Sequence, residues 1–230
     1  MPSRVIAIAG AKGSPGCSFL ATALAGCLAA NHVSTLLVDA DAEGGGLAAL
    51  LDLGPGDVVP GNPVAEPAIQ IDKQLWLSEI GQATAEASNG LDWTTDARQR
   101  HDAVVVDLGH SAGVLQQQLS AASDWLLWVV VPDRSGLRRA DLALASGMLG
   151  AANAGLVFNR IRRGYLDGAE SALSNRHHLS VMGRINDDRR IADRLTEGLP
   201  VHRVWSLRRT LRDLARSVHP DLGAAVRARL

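Results

Sequence analysis

Apolar residues fall into two patterns along this chain. Short, nearly uninterrupted runs read as strands buried on both faces: RVIAIAG (4–10), VSTLLVDAD (33–41), HDAVVVDLG (101–109), DWLLWVVVP (124–132) and AGLVFNR (154–160). Between them lie longer stretches with helical character. The clearest is CSFLATALAGCLAANH (17–32), rich in alanine and leucine; others cover 136–149, a segment beyond Gly164, 188–196 and 206–218. LSVMGRI (179–185) reads as a further short strand, and LWLSEI (75–80) fits a strand or a short amphipathic helix. Residues 54–67 carry four prolines and three glycines and read as loop. Five to seven strands alternating with helices predict an α/β protein: a three-layer α/β/α sandwich with a mostly parallel sheet.

Length and composition narrow this picture. At 230 residues one core is the natural expectation, so residues 1–230 are taken as a single domain. With 47% hydrophobic and 20% charged residues the chain has the balance of a globular protein, and its net charge of -1 gives no global attraction to nucleic acid or anionic membrane. No stretch has the 18 or so uninterrupted apolar residues of a spanning helix, and the start lacks the long apolar core of a signal peptide, so a cytoplasmic protein is expected. Cys17 and Cys27 lie about 15 Å apart along one expected helix, too far for a disulfide.

Candidate chemistry concentrates in AGAKGSPGCS (9–18), between the first strand and the first helix. Glycines at positions 10, 13 and 16 let main-chain N–H groups converge on phosphate oxygens at the positive end of a helix, and Ser18 sits where a hydroxyl reaches Mg2+. Lys12 and Lys73 are the only lysines, which singles out the one inside this loop. The ordinary phosphate loop also has a lysine directly before the serine, and here that place holds Cys17. A dinucleotide fingerprint fails as well, because positions 11 and 12 are Ala11 and Lys12. A helix start favours a thiolate, but no histidine is near Cys17 in sequence, so it reads as a small residue filling the lysine's place.

The loop resembles that of the ParA/MinD-like ATPases, whose deviant form is Lys-Gly-Gly-x-Gly-Lys-Ser/Thr. Lys12 matches the signature lysine, which in that family reaches across a nucleotide-sandwich dimer. Gly13 and Gly16 match glycines, Ser14 replaces the middle one, Pro15 fills the free position, Cys17 replaces the second lysine and Ser18 matches the Mg2+ hydroxyl. Loss of the second lysine resembles the CpaE/TadZ branch, localisation proteins of pilus assembly. The resemblance implies ATP and Mg2+ as ligands, a homodimer, and a role in positioning a larger assembly.

Acids follow two of the strands. In LLVDADAEGG (36–45), Asp39 and Asp41 face the same way if the strand continues. The resemblance places Asp39 near Mg2+ and gives Asp41 the orientation of the attacking water; a dinucleotide enzyme would instead set Asp39 on a ribose, and a helix cap is the plain structural role. Asp107, closing VVVD, stands where phosphate-loop ATPases hold a metal-bound water. After it come Gly109, His110 and Gly113, a flexible turn whose histidine is expected to be a loop residue without a role, contact with phosphate or a partner being the alternative.

Asn159 ends the strand LVFN; it matches the family's base-recognising asparagine or caps a turn. VMGRINDDRRI (181–191) resembles the family's Gly-x-Ile-Pro-x-Asp segment beside the base, with Gly183, Ile185 and Asp188 in place and Asn186 where proline is usual. Within 206–218, Arg208 and Arg212 share a helix face opposite Leu207, Leu211 and Leu214, giving a basic surface for DNA, membrane or protein, or a solvated face. GAAVRARL (223–230) is too short for a convincing membrane helix. The expected function is an atypical ATP-binding positioning protein with weak or absent hydrolysis. A nucleotide-independent scaffold and an NAD-dependent oxidoreductase are the alternatives.

Overall fold

The computed structural model describes residues 2–11, 13, 15–41, 46–54, 57, 68–80, 90–162, 168–197 and 200–221. Lys12, Ser14, most of the proline-rich stretch and the terminal GAAVRARL lie outside the described residues. The elements run β1 (Arg4–Gly10), α1 (Cys17–Ala30), β2 (Thr35–Asp39), α2 (Gly46–Leu50), β3 (Ile69–Asp72), β4 (Leu75–Glu79), α3 (Gly90–Arg100) and β5 (Ala103–Asp107). There follow α4 (Val114–Ala121), β6 (Trp125–Val130), α5 (Arg134–Ser146), β7 (Asn153–Ile161), α6 (Ala169–His177), β8 (Ser180–Asn186), α7 (Arg189–Thr196), a 3-10 turn (Val201–Arg203) and α8 (Trp205–Val218).

One eight-stranded sheet has the order β3-β4-β2-β5-β1-β6-β7-β8. Every neighbouring pair is parallel except β3 with β4. The expected α/β/α sandwich with a mostly parallel sheet is therefore the fold. The eight strands among the described residues exceed the five to seven expected, because the short hairpin strand β3 adds an antiparallel edge. LWLSEI resolves as the strand β4.

Alternation along the central strands divides the interior into two cores. Ile6, Ile8, Leu37, Val105 and Leu127 point to one side, where α1 and α8 cover them; Val5, Ala7, Leu36, Val104, Val106 and Phe158 point to the other, under α3, α4, α5 and α6. This explains why the strands read as continuous apolar runs: both faces are dry. The leucines of α8 behave as its periodicity predicts, with Leu207, Leu211 and Leu214 buried while Arg208, Arg209 and Arg212 stay exposed.

β2 stops at Asp39, two residues short of the expected run. The Ala40 N–H still donates to the Asp107 carbonyl, but neither Ala40 nor Asp41 belongs to the strand, so Asp41 does not share a strand face with Asp39.

Candidate functional site

β1 lies between β5 and β6, where successive connections depart in opposite directions and open a crevice at the carboxyl ends of the strands. The glycine loop occupies that crevice. Gly16 has φ 102° and ψ 32°, left-handed values that favour glycine, and a β-carbon there would collide with the Asn159 amide. α1 then starts abruptly: no side chain caps its first turn and no acid lies in it. Its free N–H groups end on a cleft of ≈360 Å³ whose lining includes Gly13, Pro15, Gly16, Cys17, Ser18, Asp41, Gly109, His110 and Arg160. That is the geometry of an anion cradle.

Cys17 does not replace the lysine's charge. The side chain is 4% exposed, and its sulfur turns back under the loop, so that a β-carbon on Gly10 would stand 2.9 Å from it. Burial, then the charges of Asp107 and Asp41, push the thiol well above its ordinary pKa. The thiolate that a helix start would otherwise favour is suppressed, and the residue acts as a neutral filler.

Behind the cleft, Asp39 and Asp107 occupy the same register position on β2 and β5. Asp107 is fully buried. Its Oδ1 accepts the Gly109 N–H at 3.0 Å, while Oδ2 is buried with no hydrogen-bond partner among the described residues. Burial raises its pKa to about 7, against the opposing effects of the Ser18 hydroxyl and the Gly109 N–H. Asp39 accepts N–H donors from Asp41 and Leu47, each at 3.2 Å, and its pKa is also raised, chiefly by burial. The Asp41 carboxylate packs on Gly109 at the cleft wall. Gln116, which no motif singled out, donates to the Ala40 carbonyl at 2.8 Å and ties down the segment between Asp39 and Asp41.

These groups suit Mg2+. A buried carboxylate oxygen without a partner beside a serine hydroxyl is a hard-oxygen donor set. Among the described residues no group of three or more His, Cys, Asp and Glu is placed to hold a metal ion by itself.

β7 shifts register against β8 between Phe158 and Ile161. In that irregularity Asn159 turns its amide onto the loop: Nδ2 donates to the Pro15 carbonyl at 2.8 Å and Oδ1 accepts the Arg160 N–H at 2.9 Å. Asn159 and Asp188 line a smaller adjoining pocket of ≈90 Å³. Asp188 caps α7, accepting from the Arg190 N–H at 3.0 Å, the Arg190 guanidinium and the Ser206 hydroxyl at 2.7 Å; these contacts, Arg190 first, hold its pKa well below the usual carboxylate range. The expected site residues that are described thus form a continuous patch: loop and Asp41 at the cleft, Asp39 and Asp107 behind it, Asn159 and Asp188 beside it.

A strand, a glycine loop, an uncapped helix start and a strand-end carboxylate beside the helix's first hydroxyl define a phosphate-loop nucleotide-binding domain. Residues 6–201 match the family described as the CobQ/CobB/MinD/ParA nucleotide binding domain, and the chain belongs to that family. Among solved structures it is similar to the septum site-determining protein MinD complexed with Mg-ADP from Pyrococcus horikoshii OT3 (16% identity, 97% of this chain and 98% of that chain, TM-score 0.77). It is also similar to the MinD cell division protein of Aquifex aeolicus (22%, 95% and 97%, TM-score 0.76) and to a ParA family ATPase from Chlorobium tepidum TLS (20%, 93% and 97%, TM-score 0.75). At these identities the likeness is one of fold. No curated protein sequence matches the chain. The match reaches the family and not the CpaE/TadZ branch within it.

Proposed function

We propose that this chain binds ATP with Mg2+ and acts as an atypical ParA/MinD-like positioning protein with weak or absent hydrolysis. The observation that carries the proposal is the uncapped start of α1 opening on a cleft beside Ser18 and the unpartnered Oδ2 of Asp107. Gly13, Ser14, Pro15, Gly16, Cys17 and Ser18 would cradle phosphate through their main chain. Ser18, with Asp39 and Asp107, would hold the metal and its waters. Mg2+, when bound, supplies the positive charge that offsets phosphate against these carboxylates. Asp41 would orient water if turnover occurs, and Lys12 would reach a second copy of the chain in a homodimer. Asn159 and Asp188 would border the base.

The missing lysine argues for weak turnover. One charge-assisted contact is worth about 1.5–3 kcal/mol, so binding weakens by roughly one to two orders of magnitude, with hydrolysis suffering more where the charge served the transition state. The CpaE/TadZ-like branch and a pilus-assembly or other localisation partner follow from the loop resemblance, and a cytoplasmic location is the one in which such a protein would work. The exposed arginines of α8 would supply contacts to DNA, a membrane surface or a protein. The loop argues against the oxidoreductase alternative: Ala11 and Lys12 stand where the dinucleotide fingerprint needs a glycine.

The scaffold alternative has one observation in its favour, the loop's internal ties through Asn159 and the Cys17 thiol. Calorimetric titration with MgATP, NADH as control and light scattering for mass decides between them. ATP-selective heat with dimerisation is expected. Absence of ATP binding, confirmed by a second assay, would leave the scaffold.

A further inference from the structure

We infer that Arg160 supplies the phosphate-facing cation that Cys17 leaves missing, gripping the polyphosphate at its nucleoside end, an assignment that rests on the nucleotide reading above. Arg160 lines three adjoining hollows: the phosphate cleft, the base-side pocket, and a third of ≈160 Å³ shared with Val131, Pro132, Asp133 and Arg162. Its place at the junction of the first two puts it nearest the phosphates next to the ribose.

The backbone is built to aim it there. Arg160 has φ 56°, a left-handed conformation that costs a non-glycine residue about 1 kcal/mol or more. It is held by its N–H bond to Asn159 Oδ1 and by re-entry of the strand into the ladder at Ile161, which pairs with Asn186. One two-residue irregularity therefore does two jobs: Asn159 ties the loop at Pro15, and Arg160 is re-aimed into the crevice.

Charge makes the same case. Among the described residues that line the phosphate cleft, Arg160 is the one permanent cation, in a cleft that the carboxylate of Asp41 also lines. Its side chain is exposed, and no ion pair engages its guanidinium among the described residues, whereas neighbouring Arg162 pairs with Asp187 at 2.7 Å. A free guanidinium presents a planar fork that fits two phosphate oxygens, a contact a lysine makes only as a point charge.

The test is a double-mutant cycle on the whole chain, read as calorimetric affinity for MgADP. Arg160→Ala and Arg160→Gln should each weaken binding by about 10- to 100-fold, and Arg160→Lys should lose less. Cys17→Lys, restoring a cation at the loop, should recover part of the loss in the double variant, so that the two changes are non-additive. Thermal melting of each ligand-free variant reports whether the fold is intact. If the parent binds MgADP while the alanine and glutamine variants stay within about twofold, the assignment is wrong and the nucleotide reading survives. Strict additivity with Cys17→Lys would likewise reduce Arg160 to a structural role. If the parent binds no nucleotide, both readings fall together.

Discussion

Asp39 and Asp107 sit directly opposite each other at the ends of neighbouring parallel strands, both shielded from solvent. Asp107 therefore titrates near 7, and the sign of its contribution to stability follows. The folded chain keeps a proton that the unfolded chain has released. The contribution is complete below the ordinary value of 3.8 and is lost as pH rises through about 7. Ligand-free protein should melt lower at about pH 8 than at about pH 6, by an amount on the order of a few kcal/mol at most, and Asp107→Asn should flatten that slope. Mg2+ with nucleotide should raise the melting temperature more at the higher pH. Identical slopes for parent and variant would remove Asp107 from this account.

Asn159 holds the loop from behind. Replacement by alanine removes its bonds to Pro15 and Arg160 and should lower stability by about 1–2 kcal/mol in urea denaturation. Asn159→Asp keeps the acceptor for Arg160 but loses the donor to Pro15. If that variant binds nucleotide as the parent does, the Pro15 tie is not what shapes the cradle.

The Cys17 thiol should be inert in the folded chain. A thiol reagent at about pH 8 should modify half-buried Cys27 first and Cys17 only on unfolding, since only the thiolate reacts. Cys27→Ser isolates the second reaction. Rapid labelling of that variant without denaturant would contradict the buried position.

On α8, Leu211→Ala should cost about 2–5 kcal/mol, because Leu211 has no solvent exposure. Arg208→Ala and Arg212→Ala should each stay within about 0.5 kcal/mol. Any large effect of the arginines must then appear in partner binding, which co-sedimentation with DNA or anionic vesicles reads out.

Legibility in the sequence followed from how many independent signals each element carried. The unit β1, loop and α1 announced itself through an apolar run, spaced glycines and an alanine-rich stretch. β3 did not, because Ile69 to Asp72 alternates over only four residues and lies antiparallel at an edge. α3 was hidden for another reason: Trp93 and Ala97 are its only described hydrophobic residues in the core, too few to show a period. The acids were found by type and place, but a shared strand face for Asp39 and Asp41 required a strand two residues longer than the one that forms. Asn159 shows what spacing cannot supply. An amide at a strand end can face a ligand or its own chain, and only the slip between β7 and β8 turns it toward Pro15.

β1 also carries a rule of parity. Ile6 and Ile8 fill the α1 side, while Val5, Ala7 and Ala9 fill the other. One residue inserted within the strand would exchange the two sets, pressing isoleucines into space shaped for alanine and thinning the packing beneath α1. An insertion of two would restore the faces but shift Gly10 from its tie to Gly109 and carry the loop out of line with Asp107. The strand therefore acts as a ruler for the loop beyond it. Changes in chain length have to be absorbed elsewhere, at connections that keep no count.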